Sequence, residues 1–471
     1  MCEVPVSRFV ARGIDFGTVR TEFHLPEGYP PAAVAQARAA SDRYASERED
    51  RTDLAFVTID PPDSLDLDQA LHLERTHGGF VLHYAIADVG AVVEPGGVLD
   101  VETRKRGQTF YLPDGKVPLH PKELSEGSAS LLPDEDRPAV VWRIELDESA
   151  EPVSCTVSRA TVRSVARLDY AGVQADAEAG RLHPSIASLP EFGRLRTAAA
   201  VARGAIELRL PEQEVVPDGD GWRVDLAPRT EADDWNAEIS LLTGMCAAAM
   251  MLDAKVGLLR TLPPAGPDAV EALRRTASAL AIDWPQSVGV GELLARLDPN
   301  SASTLVLMTE APSLLRGADY AAFDGALPEL TTHAAIGAPY AHVTAPLRRL
   351  SDRYSTEVCL AATAGTPVPS WAREALGSMP EIMVGSDSLA SKIDRACIDL
   401  TEATVLADRV GETFDATVLR SRNGKRTADV FVPSVSVMAK CVGDPAEGEQ
   451  VKIRLVSADV AKRTVEFGYP A

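Results

Sequence analysis

The feature that most constrains this fold is a group of four aspartates that lies between two apolar stretches. The four are Asp60, Asp63, Asp66 and Asp68. The run FVTI at 56–59 precedes them, and Ala70 with Leu71 follows. Carboxylates this close repel one another and raise each other's pKa unless a cation neutralises them. Because both apolar flanks favour buried backbone, the chain must hold this acidic segment at the edge of a core.

A divalent cation is one means of stabilising such a segment. Oxygen-only ligands favour magnesium or manganese over zinc. Asp66 and Asp68, two residues apart, face the same side of an extended segment and could bracket one metal ion. Ions held this way activate water and neutralise charge on a phosphoryl group. A solvated acidic loop is the competing interpretation, whereas a calcium loop is disfavoured because the glycine of an EF-hand turn is absent.

A second chemical feature is the segment YAHVTAPLRRLSDRY at 340–354. Pro346 suits the first turn of a helix, with Thr344 near its start. Arg348, Arg349 and Arg353 would then lie within two turns of a helix N-terminus, where amides, dipole and guanidinium groups favour a phosphate. The alternative is that these arginines form ion pairs with Asp352 and Glu357 on the helix.

A third stretch, RKRGQTFYL at 104–112, joins three basic residues to Phe110 and Tyr111. Single-strand binding uses charge on the backbone and aromatic rings under the bases. An ordinary strand position for Tyr111 is the alternative interpretation.

Composition and charge limit the classes that remain. The 471 residues carry a net charge of −22, which argues against coating nucleic acid through bulk positive charge. We expect no window to reach the roughly 20 apolar residues of a membrane span. The sequence at the N-terminus does not resemble a secretory signal, which favours a cytoplasmic protein. The six cysteines are spread without a CxxC pair and are expected to be reduced thiols without a catalytic role.

Periodicity divides the chain into three parts. Residues 1–50 form a short extension with a predicted helix at 31–49. A mixed α and β part follows, with strands at 56–59, 80–89, 140–146 and 153–162 and helices at 189–208, 235–259, 267–281 and 347–362. The tail 411–471 has short β segments at 414–419, 429–433, 451–455 and 464–467, which predict a small OB-type barrel. With nine Lys/Arg and eight Asp/Glu, the tail carries a charge of +1 and is the part least hostile to a polyanion.

Taken in order, these stretches resemble the ribonuclease II family, the exoribonucleases that share the RNB catalytic domain. The family's acidic motif has aspartates at a first position and six, eight and nine residues on; here these positions hold Asp60, Asp66, Asp68 and Gln69. The segment 106–139 is similar to the family stretch in which Tyr-x-Pro leads to Pro-x-x-Leu-Ser and Asp-Arg-Pro. The segment 333–354 is similar to the family's arginine block, with Ala345 where serine is usual.

The resemblance implies an α+β fold in three parts. Residues 1–50 would be a short N-terminal extension, without room for the cold-shock pair of familiar members. Residues 51–410 would be the RNB catalytic domain of mixed sheets and surrounding helices, and 411–471 an OB-type RNA-binding domain. Single-stranded RNA would be threaded down a channel, so that a local basic lining suffices despite the acidic net charge.

The implied activity is processive, magnesium-dependent 3′-to-5′ hydrolysis of single-stranded RNA to nucleoside 5′-monophosphates, with manganese as a substitute. Asp60, Asp66 and Asp68 would hold the metal, and Asp66, Asp68 and Arg348 would be catalytic. The residues implied to contact RNA are Tyr111, which would stack on the 3′-terminal base, and His342, Thr344 and Arg349. A monomer without an obligate protein partner and without a membrane is implied.

Two departures from the family pattern keep an alternative open. Gln69 replaces the fourth aspartate, and 256–259 lacks the second aromatic that clamps the terminal base in familiar members. The alternative is a catalytically impaired RNB protein that acts as an RNA-binding or regulatory module. A non-nuclease phosphohydrolase would account for the acidic cluster alone and leaves the arginine block unexplained.

Overall fold

The computed structural model describes residues 9–208, 213–226, 229–298, 301–421 and 426–470, so Cys2 lies outside the described residues. The N-terminal part packs against the body of the protein and does not hang free. Its elements are β1 (Ala11–Arg12), α1 (Gly17–Glu22), α2 (Pro31–Arg38) and β2 (Glu49–Asp50). The helix predicted at 31–49 ends at Arg38. Asp42 accepts a hydrogen bond from the Tyr44 amide, and such a side chain competes with continued helix.

The catalytic-type part is built on a six-stranded sheet. One of its strands is β2, and the other five are β3 (Phe56–Ile59), β4 (Gln69–Thr76), β5 (Gly79–Ala87), β8 (Asp136–Leu146) and β9 (Pro152–Leu168). Between β5 and β8 lie α3 (Val89–Val92), α4 (Val98–Arg106) and the hairpin of β6 (Phe110–Leu112) and β7 (Gly115–Val117). The strand order is β2-β9-β3-β4-β5-β8. Because the long β9 also pairs with β8, the sheet curls back on itself.

Helices cover this sheet and complete the body. The elements from 170 onward are α5 (Tyr170–Glu178), α6 (Leu189–Ala202), β10 (Gln213–Asp218), β11 (Gly221–Leu226), α7 (Glu231–Ala254), β12 (Val256–Thr261), α8 (Pro267–Ala279), α9 (Val290–Arg296), α10 (Ala302–Glu310), β13 (Asp319–Asp324), β14 (Thr332–His333), β15 (Ala338–Pro339), α11 (Leu350–Ala364), α12 (Ser370–Leu376) and α13 (Met379–Leu406). The helix predicted at 235–259 is wrong at its end. Lys255 adopts a left-handed conformation, with φ of 55°, that stops α7 and starts β12.

The central helix α7 differs from the expectation that no segment has the length and apolar composition of a membrane span. It is long and apolar enough to cross a membrane by length and composition, with a mean hydropathy of 1.3 in its best window. Half of that window is buried inside the protein. Trp235, Ile239 and Leu242 pack in the same core as Tyr84 and Trp142 of the sheet. These contacts are those of a core helix.

The C-terminal part is a closed five-stranded barrel, as predicted from the tail. Its strands are β16 (Thr413–Ser421), β17 (Thr427–Val432), β18 (Val437–Val442), β19 (Gln450–Asp459) and β20 (Thr464–Gly468), in the order β16-β17-β18-β20-β19. The strand β18 is absent from the predicted segments. The end of α13 supplies Val405 and Leu406 to the barrel core, which fixes the barrel to the body.

A fully buried ion pair joins α11 to α4. Arg353 Nη1 donates to Asp100 Oδ1 at 2.6 Å, and both side chains are 1% exposed. The Tyr354 hydroxyl donates to the same oxygen, and Arg353 Nη2 donates to the Val93 carbonyl. Arg353 therefore serves the fold, and the interpretation of this residue as part of a phosphate cradle is wrong.

Replacing Arg353 by methionine tests the structural role of this pair. Arg353→Met removes the buried partner of Asp100 and leaves the partly exposed Arg104, at 3.4 Å, as its remaining cation, so we expect the free energy of unfolding to fall by about 3 kcal/mol. Chemical denaturation measures the change. The matched control is Arg12→Met, which breaks the exposed pair with Asp220 and should leave stability unchanged within error. Equal effects of the two substitutions would contradict the assignment.

Candidate active site

Backbone contacts fix the acidic segment after β3. The Ser130 hydroxyl donates to the Leu65 carbonyl at 2.7 Å and accepts from the Leu67 amide at 2.9 Å. The Leu131 amide donates to the Leu67 carbonyl, and Leu67 itself is fully buried. Asp66 and Asp68 thus lie on either side of an anchored apolar residue. The neighbouring Asp63 is exposed at a turn and takes no part in this arrangement.

Asp68 joins the acidic segment to the arginine block. Its Oδ1 accepts a hydrogen bond from the Leu347 amide at 2.7 Å, and its Oδ2 lies 3.5 Å from Arg348 Nε. Burial raises the pKa of Asp68 to about 8, against the opposing effects of Arg348 and of the Leu347 hydrogen bond. The carboxylate is thus only partly compensated by the protein's own groups.

Asp60 lies at the end of β3, on the same region of the sheet. The Asp60 amide donates to the Leu168 carbonyl of β9 at 3.1 Å, which fixes the backbone directly after β3. Burial raises the pKa of Asp60 to about 6; Arg348 lowers it and Asp66 adds to the rise. Two carboxylates with raised pKa therefore share one guanidinium.

Asp66 has a partner that the sequence analysis missed. Lys116 Nζ lies 2.8 Å from Asp66 Oδ1 and 3.0 Å from Glu126 Oε1. Both Lys116 and Glu126 stand in the segment that carries the family resemblance, but their spacing gives no sign that they meet Asp66. Asp66 is compensated inside the protein, unlike Asp60 and Asp68.

The donor set fits a hard divalent cation in its chemistry. The available donors are carboxylate oxygens, and the raised pKa values of Asp60 and Asp68 mark negative charge that a cation would stabilise. Across the residues that the structure describes, no three His, Cys, Asp or Glu side chains are placed to hold a common ion. The metal assignment of Asp60, Asp66 and Asp68 remains a prediction.

The arginine block begins its helix later than predicted. Residues 346–348 form a turn, and α11 starts at Leu350. The reason is that the Asp352 carboxylate accepts from the Ala345 amide, which holds the turn in front of the helix. Pro346 is therefore outside the first helical turn. Arg348 is placed by its carbonyl, which accepts from the Thr109 amide at 3.0 Å.

The three arginines of this block have different surroundings. The Arg348 side chain is 47% exposed beside Asp68. Arg349 pairs with Asp352 at 2.9 Å, in agreement with the ion-pair alternative for this residue. Arg353 is committed to the buried pair with Asp100. Arg348 is the one of the three whose guanidinium is half open to solvent.

Tyr111 lies on the β6–β7 hairpin near the same carboxylates. Its ring is 56% exposed, and partial burial raises its pKa to about 12, with Asp66 and Asp68 adding to the rise and Arg348 opposing it. The basic residues before it are engaged within the protein: Arg104 with Asp100, and Lys105 and Arg106 with Glu102. The stretch 104–112 thus presents an exposed aromatic ring, and each of its three basic side chains is paired with a carboxylate of α4.

Thr344 is buried and His342 is half-buried, and both lie just before the arginine block in the chain. The Tyr320 hydroxyl and His342 Nδ1 form a hydrogen bond of 3.0 Å, and burial lowers the pKa of His342 well below its ordinary value. Thr344 is 3% exposed, and its carbonyl accepts from Gln69 Nε2 at 2.6 Å. Tyr320 comes from β13, which pairs with β12, and no sequence spacing pointed to it.

Comparison with known proteins agrees with this geometry. Residues 48–362 match the RNB domain, and 412–469 match the RNase II-type exonuclease C-terminal S1 domain. Ribonuclease R of Escherichia coli is 27% identical over 469 residues, which cover 92% of this chain and 57% of that protein. The chain thus spans little more than half the length of this relative.

Solved structures share the fold at low identity. Mycoplasma genitalium RNase R in complex with ribose-methylated single-stranded RNA has a TM-score of 0.85 at 19% identity, covering 96% of this chain and 77% of that one. Yeast Ssd1, a pseudonuclease, has a TM-score of 0.72 at 16% identity, covering 93% of this chain and 56% of that one. These two likenesses concern the fold alone.

The RNB match covers well over half of the chain, over the region that brings Asp68 to Arg348, and the S1 match covers the barrel. The resemblance predicted from the sequence is confirmed, and the chain belongs to the ribonuclease II family of RNB-domain proteins.

Proposed function

We propose that this protein is a magnesium-dependent exoribonuclease that degrades single-stranded RNA processively from the 3′ end. Nucleoside 5′-monophosphates are the product, and manganese can replace magnesium. The observation that carries the proposal is the contact of Asp68 with the Leu347 amide and with Arg348, because it sets a buried carboxylate beside an exposed guanidinium.

Different residues of the site would bind the metal ion, the scissile phosphate and the terminal base. Asp60 and Asp68, with Asp66, would hold the divalent ion, which supplies charge neutralisation and activation of water when it is bound. The Arg348 guanidinium binds the scissile phosphate and stabilises the charge that develops on it. The Tyr111 ring stacks on the 3′-terminal base and holds the strand end in place. Asp66 and Asp68 orient the attacking water.

His342, Thr344 and Arg349 support this arrangement from behind. Thr344 is buried, and the half-buried His342 is held by the Tyr320 hydroxyl, so we assign both to holding the shape of the RNA-facing loop, and Arg349 stabilises the turn through Asp352. Single-stranded RNA as the substrate class is supported by the RNA bound in the M. genitalium structure of the same fold. A cytoplasmic monomer that needs no protein partner completes the proposal.

A catalytically impaired RNA-binding protein is the second candidate. One observation favours it: Gln69 stands at the position of an aspartate. The fold is compatible with either candidate, since both RNase R and the pseudonuclease Ssd1 share it. The presence of Arg348 and of aspartates at the other three motif positions, 60, 66 and 68, favours an active enzyme.

Asp68→Asn is the experiment that tests the proposed activity. We expect RNA cleavage to be abolished and RNA affinity to stay nearly unchanged, because binding rests on phosphate and stacking contacts away from the carboxylate. The asparagine side chain still accepts from the Leu347 amide, so the fold is kept. Burial raises the pKa of Asp68 from 3.8 to about 8, so keeping this carboxyl in the fold costs stability that grows as the pH rises above about 4 and is complete above about pH 8. The asparagine does not bear this cost, and the melting temperature should not fall.

Cleavage assays on labelled RNA, RNA titration and thermal melting measure these three quantities. The exposed Asp63→Asn is the matched control and should behave as the native protein in all of them. Equal loss of binding and cleavage, or full cleavage by Asp68→Asn, would contradict the proposal.

Gln69→Asp separates the two candidate functions. The Gln69 amide donates to the Thr344 carbonyl, and a carboxylate has no proton to donate there. We therefore expect the turnover number at saturating magnesium to fall, whereas the impaired-protein alternative predicts a large gain. Gln69→Glu is the control for side-chain length, since it also lacks the donor. A large gain in turnover by Gln69→Asp would favour the alternative.

A further inference from the structure

Lys116 occupies an unusual place between the acidic segment and the aromatic hairpin. It lies on β7 directly across from Tyr111 on β6. Its ammonium contacts Asp66 and Glu126 at 2.8 and 3.0 Å, and the three side chains are 12–21% exposed. One cation is thus shared by two partly buried carboxylates, one of which belongs to the acidic motif.

The two carboxylates make different demands on this lysine. Asp66 is one of the oxygen donors available to a divalent ion, whereas Glu126 lies outside the acidic motif. An ammonium that leaves Asp66 would still have Glu126 as its partner, so the exchange would not strand a partly buried charge. Lys116 can therefore compete with a divalent ion for Asp66, and Glu126 can hold the Lys116 ammonium when it leaves Asp66.

We propose that Lys116 is a resident cation for Asp66, which competes with the divalent ion for this carboxylate and sets the metal concentration that the site requires. Lys116 is a positioning residue in this account, and Glu126 draws it away from Asp66. The inference rests on the proposed metal-dependent function, but its test measures metal binding without RNA and without turnover.

The experiment is a titration of Mn²⁺ into the metal-free full chain. Binding is measured by calorimetry and by the paramagnetic signal of free Mn²⁺. Lys116→Met removes a positive charge next to the ion, so we expect the dissociation constant for Mn²⁺ to fall about tenfold. Lys116→Arg keeps the positive charge and should have the dissociation constant of the native chain. The exposed Lys105→Met, which breaks a pair with Glu102, is the matched control and should change nothing.

Glu126→Gln supplies the opposite prediction. Without Glu126 the ammonium is held by Asp66 alone, so Mn²⁺ should bind several-fold more weakly than to the native chain. General loosening of the hairpin would move both variants in the same direction, and opposite shifts therefore distinguish competition from a merely structural role. The double variant Asp66→Asn with Lys116→Met should lose the gain in affinity of Lys116→Met.

Unchanged or weaker Mn²⁺ binding by Lys116→Met would overturn the inference, as would no binding by either this variant or the native chain. Tighter binding by Glu126→Gln would overturn it too. A chain that binds Mn²⁺ as expected but releases no nucleotides would refute the proposed function and leave the role of Lys116 standing.

Discussion

The contact between Asp68 and the 347–348 backbone turn is the interaction on which the site depends. It joins residues 279 positions apart in sequence and fixes the start of β4 against the turn that precedes α11. The neighbouring Gln69 side chain makes a parallel tie to the Thr344 carbonyl. The Thr109 amide adds a third tie to the Arg348 carbonyl. Two side-chain to backbone hydrogen bonds and one backbone pair thereby hold the carboxylate, the guanidinium and the aromatic hairpin against one another.

Electrostatics explains why so acidic a chain can have a site for a polyanion. Several arginines are neutralised by carboxylates inside the fold, as in the pairs of Arg353 with Asp100 and of Arg349 with Asp352. At the site, Asp60 and Asp68 remain only partly compensated, while Arg348 stays half exposed. The local charge is therefore set by a few groups and by any bound ion, and the net charge of −22 governs mainly nonspecific association.

The local features of this fold could be predicted from sequence, but the long-range pairings could not. The strand before Asp60 and the barrel of the tail follow from apolar alternation and turn residues. The start of α11 was placed too early, because the Asp352 side chain that holds the preceding turn acts outside any helical spacing rule. Lys116, Glu126 and Tyr320 were missed because each meets its partner through a hairpin or a strand pair. Spacing identifies the acidic motif, whereas only the folded chain shows which carboxylates already have a cation.

The most direct test of this account is product analysis on a uniformly labelled single-stranded RNA, in magnesium and with a chelator. The account predicts nucleoside 5′-monophosphates from the 3′ end, with each bound RNA shortened to a small remnant before another is attacked, and no release when the metal is chelated. Internal fragments, or intact RNA that is bound but yields no monophosphate in either magnesium or manganese, would contradict it.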